Sequence, residues 1–169
     1  MPKTNSQHAK PVRASKAVLS GLMMPQDANP MGKVFGGSIL KLIDNVAFVA
    51  AARHAGTSNC VTISMDKIDF KQPIEIGELV ILEAKLHFTG RSSIVVGVNV
   101  YTENLDTGHR RQTNSCLVTF VAVDDKGKPR EVPRLRPETE EEKQIYHQAE
   151  IRYQNRKNKI VRSRLPSGE

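Results

Sequence analysis

Residues 39–54 read Ile-Leu-Lys-Leu-Ile-Asp-Asn-Val-Ala-Phe-Val-Ala-Ala-Ala-Arg-His, with apolar side chains at 39, 40, 42, 43, 46, 47, 49 and 50. This spacing leaves almost no polar face, which predicts a helix buried on most sides. Phe35-Gly36-Gly37-Ser38 leads into it, and Gly56 follows as a C-terminal cap. A helix of this kind in a small protein needs something wrapped around it. The segments that follow supply it, because their apolar positions switch to a period of two. Cys60 to Phe70 carries Val61, Ile63 and Met65 on one phase and Ile68 and Phe70 on the other, a slip that predicts a bulge near Asp66-Lys67. Glu78 to Phe88 sets Val80, Leu82, Ala84, Leu86 and Phe88 on one face, with Glu83, Lys85 and His87 opposite. After a turn at Gly90-Arg91, Ser93 to Tyr101 sets Ile94, Val96, Val98 and Val100 on one face. A long β-rich run from Arg111 to Val123 ends at the turn Asp124-Asp125-Lys126-Gly127.

The flanks differ. Residues 1–11 read as a disordered basic arm, Val12 to Met24 as a first strand, and Pro25 to Lys33 as a loop. Pro129, Pro133 and Pro137 space out an extended linker. Thr139-Glu140-Glu141-Glu142 fits a helix capping box, followed by a thin apolar stripe of Ile145, Ala149 and Tyr153 on a charged helix. Ile160 to Glu169 reads as a frayed tail.

Composition narrows the class. At 169 residues and 38% hydrophobic, the chain can bury a core, so it is not a disordered protein. The longest apolar run, Val46 to Ala52, is too short to cross a membrane, and no apolar stretch follows the basic start as a secretory signal requires. Cys60 and Cys116 have no CxxC partners, which argues against a disulfide framework or structural zinc and for a reducing cytoplasm. The net charge of +7 invites a nucleic-acid reading. Its distribution weakens that reading. Residues 17–125 carry nine cations and eleven anions, whereas residues 126–169 carry twelve and seven and residues 1–16 carry four cations and no anion.

The chemistry centres on Asp44, alone in an apolar helix. An ionised carboxylate there is costly unless it is paired or hydrated. It either faces a polar gap or bonds a neighbouring backbone group, or it is positioned as a general base or nucleophile. At the helix start, Gly36-Gly37 leave backbone N–H groups open to a ligand, an arrangement suited to an oxyanion. Gly37 and Asp44 are seven residues apart, roughly 10 Å along the axis. One helix can use both only through a water; otherwise a second subunit's helix supplies the carboxylate. His54 at the helix end is expected to complement the dipole. No GxSxG elbow, HExxH motif or Cys/His cluster is present, so neither a serine esterase nor a metal site is expected.

The run Asp27-Ala28-Asn29-Pro30-Met31-Gly32-Lys33-Val34-Phe35-Gly36-Gly37-Ser38-Ile39-Leu40-Lys41-Leu42-Ile43-Asp44 resembles the signature of hotdog-fold acyl-CoA thioesterases. The resemblance is to the bacterial short-chain enzymes and the brain-type cytosolic acyl-CoA hydrolases. It continues through Ser64 to Phe70, Gly90-Arg91-Ser92-Ser93 and Thr119 to Asp124. It implies an α+β hotdog fold: a long central helix wrapped by an antiparallel sheet, here with a C-terminal helical extension. It implies hydrolysis of acyl-CoA to free fatty acid and coenzyme A, with Asp44 as catalytic carboxylate, Asn29 orienting water or thioester, and the Gly37 N–H polarising the carbonyl. Thr62 is implied as a polar strand residue near the site. Gly90, Arg91, Ser92 and Ser93 are implied as contacts for the nucleotide end of coenzyme A, with Arg110, Arg111, Arg130 and Arg136 as candidate cations at its rim. No cofactor is required beyond coenzyme A as part of substrate and product.

The resulting expectation is an arm over residues 1–11, a hydrolase domain over 12–135 and a C-terminal helix and tail over 136–169. The partner set is an acyl-CoA substrate and further copies of the chain, with a homodimer as minimum and a trimer of dimers as the family's common assembly, and with no nucleic acid or membrane. The rival is a non-catalytic hotdog protein that senses acyl-CoA and contacts nucleic acid through its basic ends.

Overall fold

The computed structural model describes residues 9–66, 68, 70 and 72–164, with side chains of the last helix described to Asn158. Lys67, where the second half of a bulge was expected, and the ends of the arm and tail (1–8 and 165–169) lie outside the described residues.

A 20-residue helix, α1 (Gly36–Ala55), spans the predicted segment but buries one face rather than most sides, leaving Leu40 and Leu42 half-buried and Val49 exposed. Ile39, Ile43, Val46, Ala47, Ala50 and Ala51 are buried on it. Full burial of each branched residue contributes about 1.5–3 kcal/mol, which fixes the roll of the helix against the sheet. It ends at Gly56, whose φ of 68° is left-handed and whose N–H closes on the Ala52 carbonyl at 2.9 Å.

Five strands enfold it: β2 (Ala17–Leu22), β3 (Cys60–Met65), β4 (Leu79–Thr89), β5 (Ser93–Glu103) and β6 (Arg110–Ala122). Their order across the sheet is β2-β4-β5-β6-β3, antiparallel throughout, so β2 and β3 are the edges. Val80, Leu82, Ala84 and Leu86 of β4, Ile94, Val96, Val98 and Val100 of β5, and Val118 and Phe120 of β6 face α1. A second, two-residue ribbon pairs β1 (Lys10–Pro11) with β7 (Leu135–Arg136) in parallel. The expected boundaries at 11/12 and 135/136 therefore border or fall within this ribbon, and Lys10 and Pro11 are ordered pieces of the arm.

Two expectations about the strands change, and one feature is added. The first strand is shorter than Val12 to Met24, because Val12–Ser15 forms a 3₁₀ turn and only Ala17–Leu22 pairs with β4. Among the described residues the bulge of β3 lies between Thr62 and Ser64 and the strand ends at Met65, while the slip expected near Asp66-Lys67 involves Lys67, outside the described residues. Phe88 does not share a face with Leu86. A register shift at His87 turns Phe88 to the outer face, where it meets Tyr146 and Tyr153 at ring-centroid distances of 5.2 Å each.

That outer face is covered by α2 (Glu140–Arg164), which runs on through the segment expected to fray as far as Arg164. Its start is the expected capping box: the Glu142 N–H donates to Thr139 Oγ1 at 3.1 Å, and the Thr139 N–H donates to Glu142 Oε2 at 3.4 Å. The apolar stripe packs Ala149, Tyr146 and Tyr153 on Phe88, Val95 and Leu117. The Tyr153 and Ser93 hydroxyls are hydrogen-bonded at 2.8 Å, and Lys85 pairs with Glu141 at 3.5 Å. The architecture has three layers in the order α1, sheet, α2.

Candidate active site

Asp44 sits midway along α1, on the side that faces the edge strand β3. Its carboxylate is half-buried rather than enclosed. Thr62 of β3 donates its hydroxyl to Asp44 Oδ1 at 2.9 Å. The strand register explains why this threonine arrives there. Thr62 pairs with Phe120, whose side chain faces α1, so Thr62 points to the helix side too. One Asp44 oxygen is thus held by a neutral donor. The alternative of a carboxylate tied to a backbone neighbour is not what the geometry contains.

Gly37 occupies the first turn of the same helix, seven residues before Asp44. Helix geometry gives its N–H no acceptor inside the helix, so the group is directed out of the N-terminus. A Cβ at this position would displace the exposed Phe35 ring. On Gly36, a Cβ would meet the Phe70 ring at 3.4 Å. Two aromatic rings therefore flank the helix start.

Asn29 lies in the loop that feeds α1. Its carboxamide oxygen accepts the Met31 N–H at 2.9 Å and the Lys33 N–H at 3.1 Å. The loop is further closed by the Phe35 N–H on the Asp27 carbonyl at 2.7 Å and the Lys33–Glu75 ion pair at 2.6 Å. The oxygen is structural, so the side chain offers a substrate only its N–H₂ donors. Asp44 and Thr62 are brought together within one chain. Gly37 stands two helical turns away, and Asn29 lies in the loop before the helix.

Gly90 to Ser93 forms the β4–β5 hairpin turn, closed by the Gly90 N–H on the Ser93 carbonyl at 2.9 Å. Ile94, next to Ser93, lies in the same cross-strand row as Phe120 and Thr62. Two strand spacings separate Ile94 from Thr62, about 10 Å, so the turn and the Asp44–Thr62 pair share one end of the sheet. Arg91 is exposed and bonds Glu131 through Nε at 2.8 Å. A cavity of about 680 Å³ opens beside the turn, lined by Arg91, Arg134, Glu131, Tyr146 and Glu150 among others. Arg134 was not singled out by the sequence, because only folding brings the proline-rich linker against the hairpin.

The other candidate cations fare differently. Arg110 pairs with Glu83 at 2.9 Å and stacks 4.3 Å over Tyr101, and Arg111 bonds the buried Glu78 at 2.8 Å. Both begin β6, opposite Glu103 and Thr102, at the far end of the strands from the Gly90 turn. Arg136 pairs with Glu138 at 3.3 Å. Arg110 and Arg111 are thus fold-holding pairs remote from the turn.

The histidines also depart from expectation. His54 is fully buried, with Nδ1 3.1 Å from the Ser15 hydroxyl and Nε2 2.8 Å from the Pro133 carbonyl. Burial lowers its pKa against the raising effect of the Pro133 bond, and the Lys10 charge lowers it further. It therefore favours the neutral form and does not complement the helix dipole. Lys10 does that, bonding the His54 carbonyl at 2.8 Å and the Arg53 carbonyl at 3.4 Å. Both cysteines are free thiols, and burial pushes that of Cys116 up to about 11, with Asp66 adding to the rise. No helix among the described residues is long and apolar enough to cross a membrane.

A central helix wrapped by an antiparallel sheet, with a carboxylate on the helix and a glycine-opened N-terminus, defines the hotdog hydrolase class. The chain matches the Thioesterase superfamily over residues 31–109. It is 42% identical to the uncharacterised acyl-CoA thioester hydrolase YkhA of Bacillus subtilis, over 87% of this chain and 85% of that protein. A solved hexameric acyl-CoA thioesterase superposes with a TM-score of 0.85 at 41% identity, covering 90% of this chain and 97% of the other. The Staphylococcus aureus acyl-CoA hydrolase, solved with butyryl coenzyme A and coenzyme A, superposes at 0.83 with 34% identity over 92% and 94% of the two chains. The chain belongs to the hotdog-fold acyl-CoA thioester hydrolases.

Proposed function

We propose that this protein hydrolyses acyl-CoA thioesters to the free acid and coenzyme A, with Asp44 as the catalytic carboxylate. Hydrolase activity follows from family membership, and the observation that carries the residue assignment is the 2.9 Å hydrogen bond from Thr62 to Asp44. A water bonded to the open Asp44 oxygen attacks the thioester carbonyl and gives its proton to the carboxylate. The oxyanion is met by the Gly37 N–H at a helix N-terminus. The tetrahedral adduct collapses, the C–S bond breaks, and the thiolate takes the proton back. The Asn29 amide N–H₂ donates to the water or the thioester oxygen.

One helix can use Gly37 and Asp44 together only if the water spans the roughly 10 Å between them, and a second helix alongside removes that demand, so we assign the complete site to two copies of the chain. The exposed edge of β3, with Val61 and Ile63 on it, is the surface proposed for that contact. A hexamer built from such dimers follows the assembly named for the solved relative. The hydrolase unit is assigned to residues 12–135, with α2 as an added outer layer. Coenzyme A phosphates are assigned to the Gly90–Ser93 turn, with Arg91 and Arg134 at the adjoining cavity. Two free thiols suit a reducing cytoplasm.

The test is Asp44→Ala and Asp44→Asn in a turnover assay that reads released thiol across acyl chain lengths. General-base loss costs about 10²–10⁴-fold in kcat, with the circular dichroism and melting curve unchanged. Turnover near the parent rate in either variant removes Asp44 from the mechanism. In single turnover in ¹⁸O-water, label entering the Asp44 carboxylate excludes direct attack, since only water attack on the aspartyl carbon of a covalent anhydride places it there.

A further inference from the structure

Thr62 holds Asp44 from a strand that is interrupted at its next residue. In β3, Cys60, Val61 and Thr62 pair with Ala122, Val121 and Phe120, and the register then slips by one, so that Ser64 pairs with Thr119 and Met65 with Val118. The slip has two effects. It breaks the ladder directly beside Thr62, and it turns Ser64 to the outer face of the sheet, the side of Thr119. There the side chain of Arg156, arriving from α2, bonds the Ser64 hydroxyl. The same Nη1 lies 3.3 Å from Thr119 Oγ1 and 3.9 Å from Asp66 Oδ1. Arg156 is half-buried and Thr119 is buried at 4% exposure, so the clasp is held between layers. It joins both strands across the bulge and Asp66, the residue that follows β3.

We propose that Arg156 is a positioning residue for the hydrolase reaction: it clamps the bulge of β3 and thereby fixes Thr62 against Asp44. This rests on the Asp44–Thr62 site proposed above. A bulge removes paired backbone bonds where the catalytic support needs them most, and a planar guanidinium with several donors restores a tie between the two strands. The clasp reaches the strand from the face opposite the site, so it touches neither substrate nor Asp44. The remainder of α2 is seated independently by Tyr146, Ala149 and Tyr153, so removing Arg156 leaves the helix docked.

The experiment compares Arg156→Met, Arg156→Lys and Ser64→Ala with the parent, alone and on a Thr62→Val background, in steady-state acyl-CoA hydrolysis by the full chain. The expected result for Arg156→Met and for Ser64→Ala is a loss of about 5–10-fold in kcat with KM within about twofold, the pattern of a support needed in the transition state. Arg156→Lys, which keeps a donor and the charge but loses the planar fork, recovers part of the rate. On the Thr62→Val background, Arg156→Met adds less than about twofold, because a residue acting through Thr62 has nothing left to act on. Amide exchange of residues 62–64 rises in the Arg156→Met protein. A parent-like kcat in both Arg156→Met and Ser64→Ala, whatever the melting temperature, overturns the proposal. So does a full, independent loss on the Thr62→Val background. If Thr62→Val itself turns over at the parent rate, the Asp44–Thr62 reading falls and the clamp falls with it. A slow Thr62→Val beside a fast Arg156→Met removes the clamp alone. Should Arg156→Met not fold, Ser64→Ala carries the comparison.

Discussion

Asp44 and Thr62 form the smallest unit on which the proposed chemistry rests. A carboxylate in an apolar helix needs a donor, and Thr62 supplies one without neutralising the charge. Thr62→Val keeps the shape and the strand preference but removes the hydroxyl. One neutral hydrogen bond is worth about 0.5–1.5 kcal/mol, so kcat is expected to fall about 3–10-fold with KM little changed in a thiol-release assay. A parent rate in the valine variant would show that the bond does not serve catalysis. Asp44 stood out in the sequence because a lone charge in an apolar run has few other uses. Thr62 was named only through the family resemblance, since threonine is an ordinary strand residue and only its partner distinguishes it. Asn29 was legible as a polar loop residue, but the commitment of its oxygen to Met31 and Lys33 depends on a loop shape that spacing does not specify.

Among the elements, β4 and α2 show how one extra residue rearranges a layer. The shift at His87 moves Phe88 outward to the tyrosines of α2 and lays the imidazole over Gly97, where a Cβ would collide with the ring. Burial lowers the His87 pKa to about 4, with the charges of Lys85 and Arg152 adding to the effect. Unfolded His87 protonates near 6.5 and the folded one only near 4, so the folded state binds fewer protons between those values. Its contribution to stability is complete above pH 6.5 and is lost as the pH falls through that window. Melting temperatures measured from pH 7 down to 4 should therefore drop less steeply in His87→Gln than in the parent. Parallel curves would mean that His87 is not held neutral by the α2 layer. Strict alternation along β4 made its inward residues readable as far as Leu86. A bulge changes no residue type, so nothing in the alternation marked where it stops.

At the scale of the molecule, the sheet leaves β3 as an edge whose Val61 and Ile63 are 48% and 53% exposed. An edge with apolar residues invites pairing with another copy, and charges on it oppose that pairing. The variant Val61→Lys with Ile63→Lys is expected to run as a smaller species in light scattering and to lose at least about tenfold in kcat/KM, because a site shared between copies requires their alignment. A smaller species with full turnover would mean that each chain carries a complete site. The +7 charge takes on a different sense at this scale. Arg110 and Arg111 are spent on ion pairs that hold the sheet, while Arg91 and Arg134 stand beside one cavity at the end of the sheet that carries Asp44 and Thr62.

The sequence by itself determined the buried helix and its C-terminal cap, the inward faces of β4 and β5, the capping box of α2 and the isolated carboxylate. Each is a local pattern, set by periodicity or by a cap that acts over a few residues. Tertiary structure alone decided what those patterns meet. It set the bulges that turn Ser64 and Phe88 outward, buried His54 between Ser15 and Pro133, and brought Arg156 to a strand 92 positions away. These outcomes follow from register and from layers pressed together across long sequence separations, where a shift of one residue exchanges the two faces of a strand.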